Sequence, residues 1–422
     1  MSEKINSPKI DEVIEHISLK DTELKKIFQK CLRNLWDQSP LLLADGRVHV
    51  TCKEPGMMNL QESCQLMVPL CLISREDAAM QMVLRGVIDA QIEMILTDPY
   101  ASKFDIHNTS GLPGEMGAAP EVKQRHFTLD SLISPVNLIW NYWMSTEDDS
   151  IFDDTTLEGL RKIVEILKVE QNHVELSEYQ IEEEYDPGTD SNAEELVVRP
   201  AGATGLIWSA FRPSGQLNYY NYHIPSQMTA VNAMSFMMEI FRDIYNDQDT
   251  AEELLDMQEQ VNKAIKQYGI IEHEKFGQIY VYESDGLGKY VLMDEDALPN
   301  LMSIPLLGYA SLEDDVYQNT RRFIMNVENP FYHEGKEASG LTSLYNGNRL
   351  ITSQSLILQA MTTDNPLEFD RLIDLIKASH SGTYEMQDVL DADDVSRLVS
   401  RHSLRSDALF LELALTRLAG LF

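Results

Sequence analysis

Basic residues are scarce in this chain of 422 residues. Its 34 lysines and arginines face 68 aspartates and glutamates, a formal net charge of −34. Nucleic acids and anionic membranes are both gripped by clustered lysine and arginine, so the balance excludes both as partners. Cysteine is scarcer still. Cys31, Cys52, Cys64 and Cys71 fit neither a C-x-x-C redox motif nor a zinc ribbon. They read as free thiols, buried or semi-buried, in a reducing cytoplasm. Long apolar runs are missing too: the longest, Leu66 to Ile73, is interrupted by Pro69 and too short to span a bilayer. The charged start, Met1-Ser2-Glu3-Lys4, carries no apolar core of a secretory signal. A cytoplasmic location is expected, in which the sequon Asn108-Thr109-Ser110 has no consequence.

The usual motifs of phosphate, nucleophile and metal chemistry are also wanting. Gly286-Leu287-Gly288 lacks the third glycine and the following helix of a dinucleotide fingerprint, and Gly335-Lys336 lacks the opening glycine of a P-loop. No G-x-S-x-G elbow occurs. The ten histidines are scattered, without an H-E-x-x-H pair. Asp294-Glu295-Asp296 and Asp391-Ala392-Asp393-Asp394 lack the order of a calcium loop and read as solvated or capping carboxylates. No cofactor and no metal are expected.

What is present is a globular composition, 43% hydrophobic and 24% charged, in a chain long enough for two domains or one large closed architecture. Helix signals dominate. Thr250 with Glu253 caps a stripe of Leu254, Met257, Val261, Ile265 and Tyr268, stopped by Gly269. Thr155 with Glu158, Ser74 with Asp77, and Asn365-Pro366 open similar helices. From Ser226 to Tyr245 apolar residues run nearly all round, which marks a helix buried on most sides. One-faced helices alternating with such a helix predict two concentric helical layers. Strand signals are few: a hairpin over Gln278–Met293 around a glycine-rich loop, and a short strand at Leu196 to Arg199. The expected organisation is one domain over residues 1–422, with an N-terminal helix or arm at 1–20 and an acidic loop at 182–195.

Aromatic, amide and carboxylate residues gather in loops, at Trp208-Ser209-Ala210-Phe211-Arg212-Pro213-Ser214 and at Asn218-Tyr219-Tyr220-Asn221-Tyr222-His223. Sugars are bound by this mixture, flat apolar faces for C–H surfaces and forked polar groups for hydroxyls. At these segments the chain resembles a known family. Phe211-Arg212-Pro213-Ser214 and Ile224-Pro225-Ser226-Gln227-Met228 are similar to the F-R-P-S and I-P-[SA]-N-M signature of glycoside hydrolase family 125. Ile95-Leu96-Thr97-Asp98-Pro99-Tyr100 also follows the family's order. So do Tyr282-Glu283-Ser284-Asp285-Gly286-Leu287-Gly288 with Leu292-Met293-Asp294, and Asn329-Pro330-Phe331-Tyr332. The resemblance runs from about Asp45 to the C-terminus. It implies a mainly α fold, an (α/α)6 barrel with a few short β-hairpins, and the chemistry of a metal-independent, inverting exo-α-1,6-mannosidase. It also implies that Arg212, Ser214, Tyr282, Asp285, Asp294 and Ser343 line or support a sugar site.

Departures from the family pattern fall where its chemistry is done. The two aspartates after F-R-P-S, one of them the family's acid, are here Gly215 and Gln216. The glutamate of M-H-E-S, the family's base, is matched by Asp388 in Met386-Gln387-Asp388-Val389. G-D-I-P-A-M-W-L-R-D-S becomes Cys52-Lys53-Glu54-Pro55-Gly56-Met57-Met58-Asn59-Leu60-Gln61-Glu62, G-S-P-H becomes Thr342-Ser343-Leu344-Tyr345, and two C-terminal tryptophans become His402 and Arg405. Inverting hydrolysis needs one protonated and one ionised carboxyl about 6.5–9.5 Å apart. The expectation is a degenerate homologue that binds a mannose-containing or other neutral glycan, or serves as a partner subunit beside an active relative. The alternative is a glycosidase of altered specificity with Asp388 as base and Glu62, Glu283 or Asp285 as a relocated acid.

Overall fold

The computed structural model describes residues 7–43, 46–50, 56–105, 119–181, 200–344, 346–347 and 349–419. Cys52, the sequon, the loop at 182–195 and the strand expected at Leu196 to Arg199 lie outside the described residues. The helices are α1 (Pro8–His16), α2 (Thr22–Gln38), α3 (Leu60–Cys71), α4 (Ala78–Thr97), α5 (Leu129–Thr146), α6 (Asp154–Gln171) and the short α7 (His173–Leu176). They continue with α8 (Ile224–Glu239), α9 (Gln248–Tyr268), α10 (Asp315–Ile324), α11 (Ser353–Met361), α12 (Pro366–Ala378) and α13 (Leu404–Leu413).

Apolar patterning sorts these helices into two layers. Every residue of α11 is buried, and α3, α5, α8 and α13 are buried on most of their surface. These form the inner ring: α13 packs on α3, α3 on α5, α5 on α8, and α11 on α13. The remaining inner position, between α8 and α11, is filled by turns of residues 300–308. The Asn232 amide of α8 donates to the Leu307 carbonyl there, and the Tyr317 hydroxyl of α10 donates to that of Met302. One-faced helices make the outer layer, α2 against α13, α4 against α6, α9 against α8 and α12 against α11. Apolar residues from Ile10 to Leu415 belong to one buried cluster. Outer and inner segments alternate along the chain, so the inner helices all run the same way. This is the expected (α/α)6 barrel.

Local details differ from the sequence reading in instructive ways. The caps of α9, α6 and α4 are Asp247, Asp153 and Asp77, each accepting backbone N–H bonds. Thr250, Thr155 and Ser74 are not the caps. In each case an aspartate at the actual start outcompeted a neighbouring hydroxyl, since a charged acceptor bonds N–H groups more strongly. The buried helix begins at Ile224, capped by His223, and ends in a π turn over Ile240–Ile244. The single hairpin expected at Gln278–Met293 is two pairings. Gly277–Tyr280 pairs with Ile270–His273, whereas Glu283–Ser284 pairs with Tyr290–Val291 and with Tyr222–His223. The chain changes partners at Val281–Tyr282, both fully buried: the Val281 N–H donates to the Gly269 carbonyl and the Tyr282 N–H to that of Val291, each at 2.9 Å. Cys31, Cys64 and Cys71 are buried free thiols. No helix of the described residues is long and apolar enough to cross a membrane.

Candidate active site

One end of the ring is where the short strands gather. Met57–Asn59 runs into α3, Tyr222–His223 into α8 and Leu350–Thr352 into α11. Asn59, Thr128, His223, Thr352 and Ser403 cap the inner helices, each side chain accepting from the backbone N–H three residues on. The N-terminal, electropositive ends of five inner helices therefore face one mouth, which favours carboxylates there.

The wall between α3 and α5 is built on the turn after Phe211. The Arg212 N–H donates to the Gln216 carbonyl (2.7 Å) and the Gly215 N–H to the Arg212 carbonyl (2.9 Å). Gly215 sits at φ +86°, and a Cβ placed there meets nothing within 4 Å. Arg212 is pinned: Nε donates to Glu283 Oε1 at 2.5 Å, Nη1 to Gln216 Oε1 at 3.2 Å, and the guanidinium lies 5.6 Å from the Tyr282 ring centroid. Burial works against its charge, but Glu283, Tyr282 and Glu295 outweigh burial and hold its pKa above the ordinary value. Glu283 also accepts the Tyr220 N–H at 2.8 Å. Ser214 Oγ and the Tyr282 hydroxyl both donate to Glu295 Oε1, each at 2.9 Å. The other oxygen of Glu295 has no hydrogen-bond partner among the described residues, and burial pushes this carboxyl up. Asn59, Gln61, Glu62, Lys103, Thr128, Ser131, Arg212, Ser214 and Gly215 line a cavity of about 290 Å³, the size of a sugar unit.

Asp388 stands between the starts of α11 and α13, outside the cavity lining. The Ser353 N–H donates to its carbonyl (3.2 Å), and its own N–H donates to the Arg401 carbonyl (2.9 Å). The side chain is half-buried. Asp296, also half-buried, lies within electrostatic reach of both Asp388 and Arg405. Burial first, then Glu295, with Asp388 adding a smaller contribution, push its carboxyl up to about 6. Thus folding brings Asp296 near Asp388 and Arg405, and Ser214 of the cavity wall onto the adjacent Glu295, residues which the sequence holds far apart.

The expected site residues take different places. Arg212 and Ser214 are in the cavity wall, and Tyr282 is behind it, fully buried. Asp285 accepts the Leu287 and Lys289 N–H groups at 2.7 and 2.9 Å and so shapes its own turn. Asp294, fully buried, accepts from Leu301 and Met302 at 2.8 and 3.0 Å and anchors the turns that fill the inner ring. Ser343 is half-buried in the turn after Ser339–Leu341. Of the three relocated-acid candidates, Glu283 is committed to Arg212, Asp285 to its turn, and Glu62 reaches the cavity. Glu295 and Asp296 are not among the residues the sequence singles out. The run Asp294-Glu295-Asp296 read as solvated or capping, yet only Asp294 caps; Glu295 is 1% exposed. A carboxylate run beside the Leu-Met block was the available signal, and its burial depends on Ser214 and Tyr282, distant in sequence. No group of three or more metal-ligating side chains occurs among the described residues.

Comparison with known proteins agrees with this architecture. Residues 21–415 match the model of the metal-independent alpha-mannosidases, GH125. The meiotically up-regulated gene 157 protein of Schizosaccharomyces pombe is 30% identical over 438 residues, covering 97% of this chain and 86% of that protein. A metal-independent alpha-mannosidase of Streptococcus pneumoniae, solved as a non-productive complex with alpha-1,6-mannobiose, superposes with a TM-score of 0.87. It shares 31% identity, over 97% of each chain. A bacterial glucoamylase bound to acarbose is alike in fold alone, with a TM-score of 0.58 at 10% identity, covering 98% of this chain and 56% of that one. With the six-hairpin barrel and its walled mouth in view, the chain belongs to glycoside hydrolase family 125, the metal-independent α-mannosidases.

Proposed function

We propose that this protein recognises a mannose-containing glycan at the barrel mouth and has lost ordinary mannosidase chemistry, acting as a glycan-binding or accessory member of its family. One observation carries the reading. The turn that holds the family's acid ends here in Gly215, without a side chain, and in Gln216, whose amide oxygen is tied to Arg212. Neither donates an acidic proton, and loss of such help typically costs roughly 10²–10⁴-fold in rate. The cavity beside the turn remains, polar and sugar-sized. The relative solved with alpha-1,6-mannobiose supports mannose as the sugar. The test pairs a glycan array with a hydrolysis assay on α-1,6-mannobiose. Binding without turnover is the expected result, and measurable turnover overturns it.

A second reading is favoured by Asp296. A carboxyl pushed up to about 6 keeps part of its proton near neutrality, and Asp388 is within electrostatic reach as base. In that case α-1,6-mannobiose is hydrolysed, and Asp296→Asn and Asp388→Asn each abolish the turnover.

A further inference from the structure

We propose that Asp130, Ser226 and His223 form a proton-driven switch between two inner helices. Loss of one proton moves His223 from one tautomer to the other and releases the cap of α8. The device does not depend on what the mouth binds.

The three side chains are buried and in one line. Asp130 stands in the first turn of α5 and Ser226 in that of α8, which His223 caps. Ser226 Oγ lies 2.7 Å from Asp130 Oδ2 and 2.5 Å from His223 Nδ1, so the hydroxyl joins the carboxyl to the ring. The same Nδ1 accepts the capping Ser226 N–H at 3.4 Å. The outer atoms of the line, Asp130 Oδ1 and His223 Nε2, are buried and have no hydrogen-bond partner among the described residues. Thr128 and Ser131, on either side of Asp130, line the cavity. α5 packs on α3, α4, α6 and α8, yet among the described residues no charged side chain shifts Asp130. The His223 ring lies against Tyr282, centroids 4.5 Å apart, and the charge that acts on it is Arg212, itself paired with Glu283. Burial first, then Arg212, hold the imidazole well below its ordinary pKa, so it stays neutral.

The hydrogen-bond inventory allows two states. A hydroxyl has one proton, and a neutral imidazole has one. Where Nδ1 caps α8 it is bare, and the ring proton is on Nε2. Ser226 then donates to Nδ1, so Asp130 must be protonated to donate to Ser226 Oγ. An ionised Asp130 only accepts. Ser226 then donates to Asp130, Nδ1 carries the ring proton and donates to Ser226 Oγ, and the Ser226 N–H has lost its acceptor. The change runs along the line: Asp130 passes its proton to Ser226, Ser226 passes its own to Nδ1, and the Nε2 proton leaves to solvent. Three protons become two, and the charge of the group falls from zero to −1. Burial pushes Asp130 up to about 7, the range in which this exchange occurs.

The experiment labels the histidines of the full chain with nitrogen-15 and reads their tautomers by NMR from about pH 5.5 to about pH 8.5. The His223 signals are identified by their loss in His223→Asn. Expected is a neutral Nε2–H ring at the acid end and a neutral Nδ1–H ring at the alkaline end. Amide exchange of the segment 224–227, corrected for the intrinsic rate, should rise about fivefold across the change, the usual worth of a helix cap. In Asp130→Asn the amide N–H₂ donates to Ser226 as the protonated acid does, so the Nε2–H tautomer and slow exchange should persist at every pH. Ser226→Ala cuts the line, and the tautomer should no longer follow pH. One tautomer throughout in the unmodified protein overturns the inference, as does an imidazolium or a switch that survives Asp130→Asn. A switch without faster exchange overturns the role of the cap. If the variants do not fold, the tautomers of the unmodified protein still decide.

Discussion

Glu412 lies on α13 facing Cys64 of α3, and its carboxylate has no hydrogen bond or ion pair among the described residues. Burial alone pushes it up to about 7, and its charge adds to the burial that pushes the Cys64 thiol up to about 12. A carboxyl raised on folding favours the folded state only while protonated. Its contribution is intact below the ordinary pKa of about 4.5, falls as pH climbs toward 7 and is gone above that. Glu412→Gln removes the dependence. Thermal melts should show the variant more stable than the parent by about 1–3 kcal/mol at pH 8, and equal to it at pH 4. No pH-dependent difference would show that water reaches this carboxylate. Gly215 makes a second case. Restoring the family's pattern with Gly215→Asp, Gln216→Asp and Asp388→Glu should not restore full mannosidase activity. The first change places a side chain at φ +86°, at a cost of about 1 kcal/mol, and other positions that depart from the family pattern, among them His402 and Arg405, stay as they are. Full activity on α-1,6-mannobiose in the triple variant would refute this.

At the scale of elements, the position of Asp388 depends on a network at the head of α13. Asp407, fully buried, accepts from Cys31 Sγ (3.1 Å), Asn34 Nδ2 (3.2 Å) and the Met386 N–H (3.0 Å), and pairs with His402 Nε2 at 2.6 Å. Gln387 bridges His402, and the Ser403 N–H donates to the Met386 carbonyl. The segment leading to Asp388 is thereby tied to α13 and, through Asn34, to α2. Asp407→Asn leaves His402 without its counter-charge and should cost roughly 3 kcal/mol. Amide exchange at Met386 and Asp388 should quicken more than at α9. Uniform loss of protection would place the effect elsewhere. Burial lowers the His402 pKa, yet Asp407 outweighs burial and the net shift is upward. A raised histidine stabilises fully below its ordinary pKa of about 6.5, and that contribution is lost as pH rises through the folded value. The stability gap between the parent and His402→Gln should thus be larger at pH 5.5 than at pH 8.5. These ties join residues 31, 34, 386, 402 and 407, and no periodicity in the sequence announces them.

The whole molecule is a ring whose last inner helix, α13, closes against the first, α3. Each inner helix leans on two neighbours, so loss of one exposes apolar faces on both. We propose that residues 1–422 form one folding domain. Calorimetry should then show a single transition in which van't Hoff and calorimetric enthalpies agree. Two separated transitions would end that proposal. The two-layer design was legible beforehand, because α9 and α12 are apolar on one face and α8 nearly all round. The pairing of the region Gln278–Met293 was not, since alternation marks a strand without naming its partner. Nor was the separation between cavity wall and scaffold among the family-like residues. Arg212 and Asp294 belong to equally recognisable blocks, yet one lines the mouth and the other anchors turns.

By itself, the sequence determined chemistry that no packing can change. Gly215 has no side chain, Gln216 has no acidic proton, and Asp388 has one methylene fewer than glutamate. It also determined the layers, since helix periodicity and apolar content are local properties. Only the tertiary structure decided what each polar group does. Glu283 is bound to Arg212, Glu295 is sealed behind Ser214, and Asp296 is drawn toward Asp388 by the closing of the ring. The physical reason is that hydrogen bonding and desolvation depend on neighbours distant in the chain. The same carboxylate is a cap, a counter-ion or a titrating group according to what folding places beside it.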